Sequence, residues 1–231
     1  MTRIAHAFVD ARRTGRVLDT FPGDLPADLD AAYAVQEEAL GLGGRRVAGW
    51  KVAMVRPEFR DRFPAERMAG PVFADAVVGL PSGGSGRVPV YAGGFAAVEA
   101  EFVARIGRDL PAAGAPFDAE AVRDAIGSLH CGSEIASSPL GSVNALGPAA
   151  VIADHGNNAG AVVGPEIAGW RDRPLESLQV RAFVDGRPAG EGSAAVPPGG
   201  PVAAVTFLAN QLASRGRSLN RGDIVLTGMT T

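Results

Sequence analysis

Apolar residues in the first third of the chain recur at helical spacing. Within residues 3–13 and 29–41 they stand three and four positions apart, which predicts two helices. Asp28 is placed to cap the second helix, and the glycine-rich run 41–44 is placed to end it. A dinucleotide-binding loop is a poorer interpretation of this run, because it follows a helix and precedes a strand.

From residue 47 onward the pattern changes to short β-prone runs separated by Gly, Pro and Asp turns. The predicted strands are 47–55, 94–106, 149–151, 160–163, 180–184 and 223–226. Further helices are predicted over residues 118–130 and 201–215. The pattern favours an α+β protein in which an N-terminal helical segment, residues 1–70, packs on a strand-rich body, residues 71–231.

Composition narrows the class of protein. With 46% hydrophobic and 20% charged residues the chain is typical of a globular protein, and its formal charge of −3 and lack of a basic stripe argue against a nucleic-acid partner. A single cysteine, Cys131, excludes an internal disulfide and fits a reducing compartment. No apolar stretch indicates a signal peptide or a membrane helix, so we expect no membrane partner and a cytoplasmic location.

The most informative residues are Glu99 and Glu101. In a strand, positions i and i+2 point to one face, so their carboxylates should lie side by side, and Glu134 adds a third further along. Like charges at that distance repel unless a cation neutralises them. Three oxygen donors suit Mg²⁺ or Mn²⁺. Two surface glutamates and an unrelated third remain the alternative interpretation.

Three other features carry weaker signals. Lys51 is the only lysine and follows Trp50 in an apolar strand, so it is either functional or a surface lysine with a buried stem. The segment 154–158 is either a polar site loop or an ordinary turn. His130 and Cys131 are a poor zinc pair, because adjacent strand residues point opposite ways and no partner pair has suitable spacing.

Taken in order, several motifs resemble those of the fumarylacetoacetate hydrolase superfamily, nearest its 2-keto-4-pentenoate hydratase and 4-oxalocrotonate decarboxylase branch. The motifs are Asp-Ala-Ala-Tyr-Ala-Val-Gln at 30–36, Gly-Trp-Lys-Val at 49–52, Gly-Pro-Val-Phe-Ala-Asp at 70–75, Glu99-x-Glu101 with Glu134-Ile135, the loop 153–160, and Phe-Leu-Ala-Asn at 207–210 with the closing strand 219–228. The resemblance covers residues 28–231 and implies a β-roll body of the superfamily's type.

The resemblance also implies roles for individual residues. Glu99, Glu101 and Glu134 would hold Mg²⁺ or Mn²⁺. Lys51 would serve as proton donor or electrostatic partner, with a pKa lowered by burial, and Asp75 would orient Lys51 or shuttle a proton. The implied substrate-binding residues are Asp154, His155, Asn157, Thr227 and Gly228.

The activity implied is addition of water to a 2-hydroxy-2,4-dienoate, a small 2-keto acid in its enol form, giving a 4-hydroxy-2-keto acid. Decarboxylation of a 2-keto dicarboxylate is the first alternative; hydrolysis of an acylpyruvate ranks lower, because no Glu-His pair stands near residues 50–75. A non-enzymatic alternative is a degenerate subunit that partners an active decarboxylase or hydratase. Relatives usually form multimers, so a homo-oligomer is expected.

Departures from the family pattern concentrate in the parts that shape the substrate pocket. Residues 136–139 lack the usual Asp and Arg, His155 stands where Asn is usual, and the pair 157–158 is Asn-Asn rather than Ser-Ser. Gly200 stands before Pro201 where His is common, and the chain stops at Thr231, so a last strand or two is expected to be absent. Metal binding is therefore a safer expectation than hydratase activity.

Overall fold

The computed structural model describes residues 2–231, with side chains from residue 3 onward. Its helices are α1 (Thr2–Thr14), α2 (Leu29–Gly43), α3 (Ala119–Ala125), α4 (Pro148–Ala153) and α5 (Gly200–Ala213). Its strands are β1 (Val47–Met54), β2 (Arg67–Phe73), β3 (Val77–Gly79), β4 (Phe95–Ile106), β5 (Ile126–Ser138), β6 (Asn158–Glu166), β7 (Gln179–Val184), β8 (Arg187–Ser193) and β9 (Ile224–Met229).

The two N-terminal helices form as the hydrophobic pattern predicts. The Asp28 carboxylate accepts a hydrogen bond from the backbone N–H of Ala31, and Gly44 ends α2 in the left-handed conformation at φ 60°. α1 buries Phe8 against α2 and α4, in a cluster that also contains Val35 and Val151. These contacts pack the helical segment onto the rest of the fold.

Seven strands form one mixed sheet in the order β2-β1-β9-β4-β5-β6-β3. Neighbours are antiparallel except β1 with β9 and β3 with β6. β1 and β2 thus belong to the same sheet as the later strands, and a boundary at residue 70 falls inside β2. The division into two domains remains a prediction, whereas the α+β class with a strand-rich body is confirmed.

The largest core cluster lies between this sheet and α5. Leu208 and Leu212 of α5 pack with Trp50 of β1, Phe102 of β4 and Val225 of β9, all of them nearly or fully buried. This packing holds β1, β4 and β9 firmly together. The same three strands carry Lys51, the glutamate pair and Thr227 toward one another.

The structure corrects two element predictions. Residues 149–151 lie in α4, which begins with Pro148 and is buried along its whole length, so apolar character there reflects a core helix. The helix predicted over 118–130 ends at Ala125, because residues from Ile126 onward pair with β4. Among residues 2–231, no helix is long and apolar enough to span a bilayer.

Candidate active site

Glu99, Glu101 and Glu134 meet on one face of the β4–β5 ladder. Glu99 lies directly opposite Glu134, and Glu101 lies opposite Gly132, so the strand alternation points all three carboxylates the same way. One carboxylate oxygen from each lies within 4.8 Å of the others. Glu101 and Glu134 are buried, while Glu99 is partly exposed. The structure therefore brings the predicted trio together.

Each buried carboxylate is held by one oxygen. The backbone N–H of Gly228 donates to Oε2 of Glu101 at 2.9 Å, and the side-chain amide of Asn158 donates to Oε1 of Glu134 at 3.0 Å. Oε1 of Glu101 is buried without a hydrogen-bond partner, and Oε2 of Glu134 is contacted only by the Lys51 ammonium, at 3.3 Å. Buried polar atoms are rarely left unpaired, so the Glu101 oxygen in particular is available to a ligand.

Burial is the main influence on the ionisation of these carboxyls. It raises the pKa of Glu101 well above its usual range, and the neighbouring charge of Glu134 raises it further. Burial likewise raises the pKa of Glu134 to about 7, despite the opposing charge of Lys51. A divalent cation would relieve this repulsion, and oxygen donors of this kind suit Mg²⁺, Mn²⁺ or Ca²⁺. The residues present fit such an ion.

Lys51 is the cation that faces the trio. It is 3% exposed, and its Nζ lies 3.3 Å from Oε2 of Glu134. Burial alone would lower the pKa of Lys51, but the charges of Glu134, Glu99 and Glu101 raise it, and the net shift is upward. The expectation of a lowered pKa is therefore wrong, because the nearby carboxylates outweigh desolvation. Lys51 is protonated at neutral pH.

Asp75 lies away from this cluster. It sits beyond the end of β2 in the short 3₁₀ turn Ala74–Ala76, while the residue of β2 opposite Lys51 is Gly70. Its exposed carboxylate forms an ion pair with Arg45 at 2.6 Å, and this pairing lowers the pKa of Asp75. The prediction that Asp75 orients Lys51 is corrected, since the strand ends before the chain reaches it.

Arg12 of α1 fastens the loop between α4 and β6. Its guanidinium donates to the Asp154 carboxylate at 2.6 Å and to the backbone oxygens of Asp154, Asn158 and Ser137. The Asp154 side chain is buried against Arg12 and does not line the cavity beside the trio. The loop carries positive φ at His155, Gly156 and Asn157, which is backbone strain at His155 and Asn157, and the Arg12 contacts help to hold it.

His155 and Asn157 point in different directions from this loop. The His155 ring is buried with its edge on Phe73, and burial together with the charges of Arg12 and Arg45 lowers its pKa well below the usual value. His155 is therefore neutral, and it lines a cleft on the Arg45 side of the loop. Asn157 faces the cluster and donates to the side chain of Asn144 at 3.0 Å.

A cavity of about 340 Å³ opens beside the trio. Of the predicted residues it is lined by Lys51, Glu99, Asn157, Thr227 and Gly228. The Thr227 hydroxyl donates to the backbone oxygen of Phe102 at 2.9 Å, so it is already engaged within the sheet although the residue lines the cavity. Of the trio only Glu99 lines this cavity. Glu101, Glu134, Asp75, Asp154 and His155 do not.

Sequence reasoning missed five residues of the site. They are Arg12, Arg56, Arg67, Asn144 and Asn158. Asn158 lies within the loop 153–160 that resembles the family's motif, and a side-chain amide just before a predicted strand could have indicated a donor to a carboxylate. The other four come from distant segments with no local pattern that marks them.

A family model described as fumarylacetoacetate (FAA) hydrolase C-terminal matches residues 67–231. A 2-keto-4-pentenoate hydratase of Burkholderia vietnamiensis is 26% identical over 231 residues, covering 98% of this chain and 84% of the relative. A second 2-keto-4-pentenoate hydratase, of Paraburkholderia phymatum, is 26% identical over 207 residues, covering 87% and 76%.

Two solved structures with similar folds were crystallised with divalent metals. The 4-oxalocrotonate decarboxylase of Pseudomonas putida G7, complexed with magnesium and adipate, superposes with a TM-score of 0.78 at 21% identity, covering 98% of this chain and 86% of that one. The fumarylpyruvate hydrolase of Pseudomonas aeruginosa, with Mn²⁺ and pyruvate, gives 0.57 at 17% identity, covering 80% and 78%. These likenesses establish the fold.

The curled mixed sheet and its clustered carboxylates define an α+β enzyme with a candidate divalent-metal site. The chain belongs to the fumarylacetoacetate hydrolase family. The expectation of an enzyme is confirmed by this membership and by relatives named as hydratases, which are hydro-lyases. The roles of single residues and the choice of metal remain predictions.

Proposed function

We propose that the chain is a divalent-metal-dependent hydratase that adds water to a 2-hydroxy-2,4-dienoate of the 2-keto-4-pentenoate type. The observation that supports it best is the trio Glu99, Glu101 and Glu134, which brings one carboxylate oxygen of each within 4.8 Å of the others, beside Lys51 and a cavity of substrate size. The names of the two hydratase relatives support this choice of reaction. A cytoplasmic location and a homo-oligomer are further parts of the proposal.

In this proposal the trio holds Mg²⁺ or Mn²⁺. When bound, the ion supplies Lewis-acid stabilisation of negative charge on the oxygens of the keto acid. The hydrogen bonds from Gly228 to Glu101 and from Asn158 to Glu134 fix the orientation of both carboxylates, as outer partners of metal ligands commonly do. Structures with similar folds that contain magnesium, calcium or Mn²⁺ support a divalent ion.

Lys51 acts as the cationic acid of the site. Its ammonium lies beside Glu134, where it stabilises negative charge on the substrate and can donate a proton. Glu99 reaches the cavity and is the carboxylate nearest to solvent, which suits it to contact water as well as metal. Overall the reaction places a hydroxyl group on C4 and hydrogen on C3 and C5, while the enol becomes a ketone.

The test is the ultraviolet absorbance of 2-hydroxypenta-2,4-dienoate mixed with the protein. We expect the absorbance to decay with Mg²⁺ or Mn²⁺ and to persist in EDTA, and the product to be 4-hydroxy-2-oxopentanoate by mass and NMR. Persistence of the absorbance with either metal, in protein shown to bind Mn²⁺, would overturn the hydratase proposal.

One observation favours a second candidate, decarboxylation of a 2-keto dicarboxylate. Two arginines, Arg56 and Arg67, line the cavity and could receive a carboxylate that a simple dienoate lacks. The likeness in fold to a 4-oxalocrotonate decarboxylase complexed with adipate is consistent with this candidate. Metal-dependent release of CO₂ from 4-oxalocrotonate, with no hydration of the dienoate, would select it.

A further inference from the structure

A second cleft, of about 910 Å³, lies on the other side of the loop that follows α4. The ends of α1 and α2, the segment from β2 to β3 and the stretch before β4 form its walls. Asp75 and His155, which the resemblance placed in the substrate site, both line this cleft, and neither lines the cavity beside the trio. The volume is sufficient for a small organic molecule.

The loop is the wall between the two spaces. His155 lines the cleft, whereas Asn157 lines the cavity beside the trio. Gly156 packs between them, where an added Cβ would lie 2.8 Å from the Cα of Gly70 and 3.2 Å from the Cδ of Lys51. Because the backbones approach so closely here, there is no room for a ligand to pass. The cleft is therefore separate from the candidate metal site.

His155 is a buried polar residue that needs a partner. Its side chain is 3% exposed, and neither ring nitrogen has a hydrogen-bond partner among residues 3–231. A neutral imidazole has one donor and one acceptor, and the edge contact with Phe73 can satisfy only the donor. Buried polar atoms are rarely left unpaired, and this chain carries histidine where the family motif usually has asparagine. The His155 ring is therefore available to a ligand in the cleft.

Positive charge predominates around the cleft. Of the described residues that line it, only Asp75 is acidic, whereas four are arginines: Arg12, Arg13, Arg45 and Arg87. After burial, the charges of Arg12 and Arg45 are what lower the pKa of His155, so the potential at the ring is positive although both arginines have aspartate partners. Arg87 is exposed and forms no ion pair with any residue that the structure describes. An anion is favoured in such a cleft.

The remaining walls are largely apolar. The rings of Phe73 and Tyr91 line the cleft, and so do Leu42 and Val90, which are 41% and 48% exposed. A ligand with an apolar body would remove these surfaces from water, which stabilises a complex by about 25 cal/mol per Å² of apolar area. Apolar walls with a few polar and charged groups are typical of sites for small organic ligands.

We infer that this cleft is a second binding site, which takes a small organic anion: a carboxylate carried on a flat apolar ring. Arg87 and Arg45 supply the positive charge, His155 supplies a hydrogen bond, and the apolar walls cover the ring. The site requires neither the metal nor the proposed hydration reaction.

Equilibrium dialysis of metal-free protein against radiolabelled benzoate tests this inference, because a carboxylate cannot then bind through an ion at the trio. Benzamide and acetate are the competing ligands. Benzamide has the shape of benzoate without its charge, and acetate has the charge without the ring.

Two variants locate the bound benzoate. His155→Phe keeps an aromatic ring and removes both nitrogens, and Arg87→Met removes the unpaired charge. Arg187→Met is the matched control, because Arg187 is also exposed but lies on β8, outside the cleft. Far-ultraviolet circular dichroism and thermal unfolding establish that each variant is folded.

We expect the wild type and Arg187→Met to bind one benzoate per chain, about 10-fold more tightly than benzamide. This is the lower end of the range for a hydrogen bond to a charged group, because Arg87 is exposed. Acetate should bind about 10-fold or more weakly than benzoate, since it buries no ring. His155→Phe and Arg87→Met should each weaken benzoate binding by about 5- to 10-fold. Arg87→Met carries the test if His155→Phe does not fold.

No saturable binding of benzoate to the wild type, or equal affinities for benzoate and benzamide, would overturn the inference. Benzoate affinity that is unchanged in both variants would also overturn it, because the ligand would then bind elsewhere. Failure to bind benzoate, together with a multimer that Val90→Glu dissociates, would assign the cleft to contact with a second copy of the chain. The proposed function stands under each of these outcomes, since the dienoate assay decides it separately.

Discussion

Replacement of Arg12 by Met should loosen the loop that supplies Asn157 and Asn158 to the site. Arg12 is 4% exposed at its side chain, and its guanidinium is the cation paired with the fully buried Asp154. Methionine keeps much of the length of the side chain and removes all of its donors. The Asp154 carboxylate would then be buried without a cation beside it, and three backbone oxygens would lose the same donor.

The expected loss of unfolding free energy is about 3–5 kcal/mol, the usual consequence of breaking a buried ion pair by removing one partner. The neighbouring Arg13 is the matched control, because it pairs with Asp10 on the surface with 71% of its side chain exposed. Removing an exposed pair of this kind changes stability by about 0–1 kcal/mol. The two variants carry the same substitution at neighbouring positions of one helix, and the main difference between them is the burial of the arginine.

Urea denaturation of Arg12→Met and Arg13→Met measures the difference directly. The loss in Arg12→Met should grow as the pH rises, since an unpaired buried carboxyl has a raised pKa and resists ionisation. Adding Asp154→Asn should recover part of the loss, because no buried charge is then left alone. Mn²⁺ affinity should fall in Arg12→Met as well, through the contact of Asn158 with Glu134. A loss under about 1 kcal/mol, equal to that of Arg13→Met, would refute this account of the loop.

Three further outcomes follow from the charges of the site. In metal-free protein the pKa of Glu134 is raised from 4.5 to about 7, so between these pH values the folded state holds a proton that the unfolded state has lost. The contribution of Glu134 to the unfolding free energy should therefore fall by about 3 kcal/mol as the pH rises through this window. The measurement compares wild type with Glu134→Gln in EDTA. Lys51→Met should leave Mn²⁺ affinity nearly intact and slow turnover by about 100-fold or more, whereas equal loss of both would indicate a structural role. Asp75→Asn should leave turnover within about twofold of wild type, because Asp75 pairs with Arg45 on the surface; a large loss would restore Asp75 to the mechanism.

Local sequence patterns predicted the parts of this site that depend on local geometry. The i, i+2 spacing of Glu99 and Glu101 specifies a shared face whatever the partners of the strand. Asp28 caps α2 by accepting a hydrogen bond from the backbone N–H of Ala31, three residues along the chain, so this feature too depends only on local sequence. The placement of Glu134 beside them was supported by the resemblance to a known family. The sequence of neither strand alone specifies that β4 pairs with β5.

Other features depend on contacts between distant segments. Arg12 and Asp154 are 142 residues apart in the chain, so no local pattern connects them. β2 escaped prediction because Gly70 and Pro71 interrupt its apolar run, and a strand tolerates such a proline at the edge of a sheet. The direction of the Lys51 pKa shift required the balance of burial against nearby carboxylates, which only the assembled fold defines.

The metal site is tested most directly by titrating wild type and Glu101→Gln with Mn²⁺, with calorimetry and thermal unfolding as the two readouts. Glu101 has one oxygen held by Gly228 and the other without a hydrogen-bond partner, so the amide preserves its size and removes the charge that the ion requires. We predict one Mn²⁺ per chain and a rise in melting temperature for the wild type, and neither for Glu101→Gln. Equal binding and stabilisation in the two proteins would contradict the assignment of the metal site.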